Sequence, residues 1–348
     1  MGKISRRSLL AGVGVAGLIK PASPAILPSV SKPRLLKLGS GIKIRGAILY
    51  QPSWFLQWAP FWYNFDWNNL IKPMIDAAAF ISANCIKFNL DGVSPDGGYN
   101  YPADTILRAE LNQVCEYAAS LGMATYLQLG YSPVHSFAVD RSNLSAGSAA
   151  AAKIAGWADK IPSIVGIDCM NEWGTGITGA PWNGNTTQAV ADMTFYMNAI
   201  RAMTTKPLTI SSGYDNLIYQ LIDFHDFHYY NTSGFGTFDP TVANPLRSAS
   251  YYKGAFIMGE TGMPLGTVGN FPAAAENSNT AIDQFNWMSA VPKVTNLPDC
   301  LGGCQWALID SFPPTPGFWG TFPNPIAQNV TNPRPQMALP FRQWPGKL

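Results

Sequence analysis

From about residue 40 onward, short apolar runs alternate with longer stretches of helical periodicity. The predicted strands are Ile44–Tyr50, Cys85–Leu90, Ala124–Leu129, Ile164–Met170, Leu208–Ser211, Phe224–Tyr230, Ala255–Gly259 and Gly303–Leu308. Between them lie the helical patterns Leu70–Ser82, Thr105–Leu121, Gly147–Ile161, Thr187–Thr204, Tyr214–Leu221, Pro240–Lys253 and Ala275–Ala290, all but the two short ones, Tyr214–Leu221 and Pro240–Lys253, long enough for ordinary helices. Several strand runs are apolar without alternation, the pattern of strands covered on both faces in a parallel sheet. Eight strands with intervening helices predict an α/β protein, a single-domain (β/α)8 TIM barrel. An open doubly wound sheet usually carries a glycine-rich phosphate loop after its first strand. Here Ile48-Leu49-Tyr50-Gln51-Pro52 stands in that place. The tail from Pro313 to Leu348 holds nine prolines and little periodicity. It is expected to wrap the barrel as irregular structure in place of a regular last helix.

Composition narrows the partners. Of 348 residues, 47% are hydrophobic and only 13% charged, with a net charge of +2. No Lys/Arg run occurs beyond the N-terminus, so nucleic acid is not an expected partner. Three histidines and five scattered cysteines do not suggest a zinc site. The chain is rich in aromatics instead, with 11 Trp, 14 Tyr and 18 Phe. A surface of that kind suits neutral, hydroxyl-rich ligands.

The N-terminus reads as an address. Ser5-Arg6-Arg7-Ser8-Leu9-Leu10 precedes a mildly apolar, glycine-rich run to Ile19, with small residues at Ser23 and Ala25. This is the form of a twin-arginine export signal over residues 1–25, leaving a barrel over residues 26–348. The apolar run is about half the roughly 20 residues that span a bilayer. The mature protein is therefore expected in the periplasm or secreted, free of the membrane. Cys85 and Cys169 read as small core residues. Cys300 and Cys304 either bridge a tight loop or remain free thiols.

Acid usage is the most informative count: 16 Asp but only five Glu. Glu110, Glu116 and Glu276 fall in helical patterns. Glu172 ends the fourth strand, after Asp168-Cys-Met-Asn171, and Glu260 ends the seventh, after Phe256-Ile-Met-Gly. Carboxylates at the C-terminal ends of opposed barrel strands lie at the mouth, where barrel enzymes place their chemistry. Glycosidic bond cleavage needs such a pair, one protonated to assist the leaving oxygen and one ionised.

Asn171-Glu172 and Glu260 at these positions resemble the retaining clan A glycoside hydrolases, closest to glycoside hydrolase family 5, which includes cellulases and mannanases. Arg45-Gly46 in strand one, His228-Tyr229-Tyr230 after strand six and Gln305-Trp306 after strand eight are similar to that family's pattern. Asn84-Cys-Ile-Lys87 has lysine where the family has arginine, and Leu127-Gln128-Leu129-Gly130-Tyr131 lacks the histidine that ends strand three. The resemblance implies Glu172 as acid/base and Glu260 as nucleophile, with no cofactor and no metal. It implies that Asn171 bonds a sugar hydroxyl, that Tyr230 donates to Glu260, and that Lys87 lowers the pKa of Glu260. It places His228 beside the acid/base and Trp306 under the reacting sugar.

Between Tyr50 and Trp67 nine of 18 positions are aromatic. Trp54, Trp58 and Trp62 recur every four residues, one face of a helix, and are expected as sugar platforms alongside lid packing. Trp173 and Trp182 are further candidates. The expected activity is that of a retaining β-glycosidase acting on an oligo- or polysaccharide, an endo-β-1,4-glucanase or mannanase first. An exo-acting β-galactosidase or β-glucosidase of the same clan is the alternative, and a non-catalytic glycan-binding barrel is the rival from another class. A monomer is expected.

Overall fold

The computed structural model describes residues 42–49, 62, 65–90, 104–130, 144–179, 181–211, 215–230, 237–252, 254–263, 280–308, 321–322 and 330–346. The export signal expected over residues 1–25 lies outside them, as do Trp54 and Trp58.

Among the described residues there are eight parallel strands: β1 Ile44–Ile48, β2 Cys85–Asn89, β3 Ala124–Gln128, β4 Ile164–Asp168, β5 Leu208–Thr209, β6 His225–Tyr229, β7 Phe256–Thr261 and β8 Cys300–Gln305. Their order, β5-β4-β3-β2-β1-β8-β7-β6, curls the sheet so that β5 and β6 meet. One parallel bridge, Ser211 to Asp226, joins the two edges. The result is a nearly closed (β/α)8 barrel. The predicted strands all form; most end one or two residues earlier than expected, where each chain turns toward the mouth.

The intervening helices are α1 Lys72–Phe80, α2 Asp104–Ser120, α3 Leu144–Asp159, α4 Gly174–Thr178, α5 Thr186–Arg201, α6 Asp215–Ile218, α7 Asn244–Arg247, α8 Ala281–Ala290, α9 Pro292–Thr295 and α10 Pro335–Phe341. The Thr280 side chain caps α8 together with Asp283, so that helix starts at Ala281. The helical pattern over Pro240–Lys253 shortens to a 3-10 turn, Pro240–Ala243, followed by α7. Each of those two pieces carries a proline in its first turn, which suits a helix start and not an interior.

Two cores follow from strands buried on both faces. Ile44, Ile48, Cys85, Tyr126, Phe224, Ile257 and Cys304 cluster inside the barrel. A larger outer cluster, including Phe88, Leu127, Ile167, Trp287 and Phe341, cements helices to strands. The five cysteines are free and buried, which settles the pair left open: Cys300 packs in the outer cluster and Cys304 in the inner one.

Two expectations need correction. β8 begins at Cys300, three residues before the predicted start, because Leu-Gly-Gly there is strand and not loop. Gly302, at φ 127°, lies so close to β1 that a Cβ would collide with the Ile44 backbone. The tail is not wholly irregular either. α10 buries Met337 and Phe341, and Trp344 Nε1 donates to the Met288 carbonyl of α8 at 2.9 Å. No helix among the described residues is long and apolar enough to cross a membrane.

Candidate active site

A parallel strand alternates its side chains between barrel interior and helix layer. The interior positions of β2, β4, β6 and β7 carry charge. Lys87 of β2 is 1% exposed at its side chain and lies 3.3 Å from Asp168 of β4, 3.8 Å from Asp226 of β6 and 3.8 Å from Glu260 of β7. Burial alone would favour the neutral amine. The three carboxylates, Asp226 first, outweigh it and raise the lysine pKa. Gly259 makes room for this group, since a Cβ there would strike the Asp226 carboxylate.

Above this layer the two glutamates share one imidazole. His228 Nδ1 lies 3.1 Å from Glu172 Oε1 and 3.3 Å from Glu260 Oε2. Burial depresses the imidazole pKa, but the Glu260 charge and the Glu172 hydrogen bond more than reverse this, pushing it up to about 9. At neutral pH His228 is therefore a buried imidazolium. Tyr230 donates to Glu260 Oε2 at 2.8 Å. The two carboxylates differ in setting: the Glu172 side chain is 40% exposed and that of Glu260 8%.

Lys87 does pull the Glu260 pKa down, as expected, but it is outweighed. Burial is the largest influence and raises the Glu260 pKa overall; His228, Lys87 and the Tyr230 hydrogen bond pull it back, while Glu172 adds to the rise. The physical reason is burial, and a surplus of acid adds to it. Two cations, Lys87 and His228, face the four carboxyl groups of Glu172, Glu260, Asp168 and Asp226. The Asp226 pKa is raised as well, by burial above all and further by Asp168. Glu172, His228 and Glu260 hold donor atoms within 4.8 Å of one another, close enough to share a cation.

No family model matches the chain, and no curated protein matches it in sequence. Solved structures do match in fold. GH5_18 from Streptomyces cattleya, in complex with GlcNAc, aligns with a TM-score of 0.65 at 14% identity over 88% of this chain and 81% of that one. A glutamate-to-alanine variant of the same protein, in complex with Manb1-4GlcNAc, aligns at 0.64 with 14% identity, over 85% of this chain and 79% of that one. The exo-β-1,4-mannosidase Op5Man5 from Opitutaceae bacterium strain TAV5 aligns at 0.60 with 15% identity, over 87% of this chain and 59% of that one. At these identities the likeness is one of fold.

The structure brings together most of the side chains singled out from sequence: Glu172, Glu260, His228, Tyr230 and Lys87, with Asn171 beside Glu172. Trp306 follows β8, its backbone N–H donating to the Thr261 carbonyl at 2.8 Å, and packs half-buried against the inner cluster. The other described tryptophans go elsewhere. Trp62 is fully buried; its Nε1 donates to the Asn89 carbonyl at 2.8 Å and its ring lies against Phe88 and Phe65. Trp173 is fully buried edge-on to Trp182, whose Nε1 donates to Asp192 at 2.7 Å. A ring enclosed on all sides has no face to offer a sugar, so these three are core.

Sequence reading missed Asp168, Asp226, Tyr126, Gln128 and Ser211. Tyr126 donates to Asp226 Oδ2 at 2.6 Å, and Gln128 Nε2 to Asp168 Oδ2 at 2.7 Å. The available signal was charge inside apolar strands, where an unpaired carboxylate is not tolerated. Asp226 and His228 alternate along β6, and Lys87 pairs in register with Tyr126.

Proposed function

We propose that this chain is a retaining glycoside hydrolase, with Glu260 as nucleophile and Glu172 as acid/base. One observation carries the reading: oxygens of the two carboxylates, from the turn after β4 and from β7, lie within 4.8 Å of each other about a single imidazole nitrogen. Double displacement needs closely spaced carboxyl groups, about 5–5.5 Å apart, whereas inverting enzymes leave roughly 6.5–9.5 Å for a water. Glu260, enclosed and aimed by Tyr230, attacks the anomeric carbon and forms an ester as the glycosidic C–O bond breaks. Glu172, more exposed, gives its proton to the departing oxygen and then takes one from the water that cleaves the ester.

His228 links these two events. The Glu260 charge is the main influence raising its pKa. As Glu260 spends that charge in bond formation, the imidazole keeps its proton and its 3.1 Å contact with Glu172 Oε1, so Glu172 stays ionised and aimed for the water of the second step. Asn171 bonds the 2-hydroxyl, and Trp306 forms the floor beneath the sugar. The fold neighbours include an exo-β-1,4-mannosidase and a structure holding Manb1-4GlcNAc, which supports β-1,4-linked mannosyl or glucosyl substrates. The paired arginines of the N-terminus support export of the folded enzyme.

The test is a screen of the protein on β-mannans, β-glucans, xylans, galactans and their aryl glycosides, with Glu260→Ala beside it. Sugar release that falls by about 10³ or more in the variant, with a 2-fluoro-glycosyl adduct on Glu260 in the wild type, is the expected result. Glycan binding without turnover in the wild type would overturn it and favour a non-catalytic barrel.

A further inference from the structure

Glu172 adopts φ 46°, in the left-handed region. For a residue with a Cβ this conformation costs on the order of 1–2 kcal/mol, so the turn carrying it persists only where neighbours impose it. The neighbours that impose it are polar and lie outside the reacting groups. Asp168 Oδ1 accepts from the backbone N–H groups of Met170, at 3.3 Å, and Ser211, at 3.1 Å. Its other oxygen accepts from Gln128 Nε2 at 2.7 Å and lies 3.3 Å from Lys87 Nζ. Gln128 Nε2 also reaches Asn171 Oδ1 at 3.0 Å, and Gln128 is held in turn by Asn89 Nδ2 at 3.3 Å. The Ser211 hydroxyl accepts from the Glu172 N–H at 3.3 Å and has the Met170 carbonyl and Asn171 Oδ1 within 3.4 Å as acceptors. The Asn171 N–H closes the set on the Gly130 carbonyl at 2.7 Å.

Four strands, β2 to β5, thus converge on a two-residue turn. Asp168 is fully buried with a donor at each available position. Asn171 Oδ1 receives Gln128, which leaves its NH2 group as the end turned to a ligand. We propose that Gln128, Asp168 and Ser211 are positioning residues that hold Asn171 and Glu172 in register with the leaving-group oxygen. The inference rests on the acid/base reading of Glu172. None of the three touches a reacting atom; each acts through the turn. A misplacement of the acid by about 1 Å is enough to lose on the order of 10²-fold in rate.

A leaving group that departs unaided does not need a well-placed acid, whereas a poor one does. The experiment compares 2,4-dinitrophenyl and 4-methoxyphenyl β-D-glycosides of the mannose, glucose and galactose series on the wild type, Ser211→Ala, Ser211→Thr and Gln128→Met. Asp168→Asn is a weaker choice, because it leaves Lys87 underpaired and endangers folding. Expected for Ser211→Ala and Gln128→Met is a loss of about tenfold or more in kcat/KM on the methoxyphenyl substrate, with less than about threefold on the dinitrophenyl one. Ser211→Thr, which keeps the hydroxyl, restores most of the loss. Equal losses on both substrates, or no loss on either, overturn the positioning role. A wild type that turns over no glycoside of the panel overturns the glycosidase reading, and this inference with it; the two failures are therefore distinct.

Discussion

The two ends of the barrel use the same polar residue types in opposite ways. At the N-terminal end of the strands, cations and amides bind backbone carbonyls. Arg45 donates to Ser82 O at 2.6 Å, Arg342 O at 3.2 Å and Trp344 O at 3.1 Å. Asn84 donates to Lys43 O at 2.8 Å and Gly346 O at 2.9 Å, and accepts from the Arg45 N–H at 2.7 Å. Lys43 donates to Thr295 O at 2.9 Å. At the C-terminal end, Lys87 and His228 bind carboxylates instead. Carbonyl dipoles do not titrate, so the acceptors of the lower end, a clamp that ties the C-terminal segment to β1, keep their state at any pH. Carboxylates do titrate, and crowding them around two cations makes the upper end a store of movable protons.

Removing Lys87 sets the two ends furthest apart. Lys87→Met leaves Asp168, Asp226 and Glu260 buried without their shared cation, and is expected to cost about 3–5 kcal/mol in chemical denaturation. Arg45→Met at the clamp leaves carbonyls, not charges, without donors, and is expected to cost about 1–3 kcal/mol, with faster proteolysis of the segment around Trp344. An equal cost for the two substitutions would erase the contrast.

A pH series sharpens the same point. The folded pKa of His228 is raised to about 9 from an ordinary value of 6.5. Its contribution to stability is fully present below about pH 6.5 and is lost as pH rises through about 9. Thermal stability of the wild type should therefore fall between about pH 7 and 10 more steeply than that of His228→Asn, whereas Arg45→Met should leave the slope unchanged. Parallel curves for wild type and His228→Asn would show that the imidazolium is not held as described. The smallest effect belongs to the outer layer. Trp62→Phe keeps a ring against Phe88, loses the bond to Asn89 O and leaves a small cavity, an expected cost of about 1–2 kcal/mol with KM unchanged. A raised KM would return Trp62 to the substrate.

The barrel was legible because its signal is repetitive: eight apolar runs, each fixed by burial on two faces. Glu172 and Glu260 were legible because each lies near the C-terminal end of a strand, Glu260 within β7 and Glu172 in the turn after β4. The residues that aim them were not. Gln128, Asp168 and Ser211 come from three different strands, and nothing in the local sequence around each shows that the barrel joins them. Trp62 misled for the converse reason. A period of four residues marks one helix face but not whether that face looks at a ligand or at Phe88. Leu301-Gly302-Gly303 read as a loop because glycine usually marks one; here it marks how closely β8 presses on β1.

Among the described residues the barrel closes on very few bonds. Between β5 and β6 it is held by the Ser211–Asp226 bridge, by Thr209 Oγ1 on Phe224 O at 2.7 Å, by the Asp223 N–H on Leu208 O at 2.8 Å and by the Leu208 N–H on Asp223 Oδ2 at 2.8 Å. A cylinder that breathes does so first along its thinnest seam, and amide exchange at Ser211 and Asp223 should outpace that of β2 and β3. Ser211 is also the residue whose hydroxyl the Glu172 N–H seeks. The seam that closes the cylinder and the turn that carries Glu172 thus share one residue, so the firmness of the closure bears on the placement of that side chain.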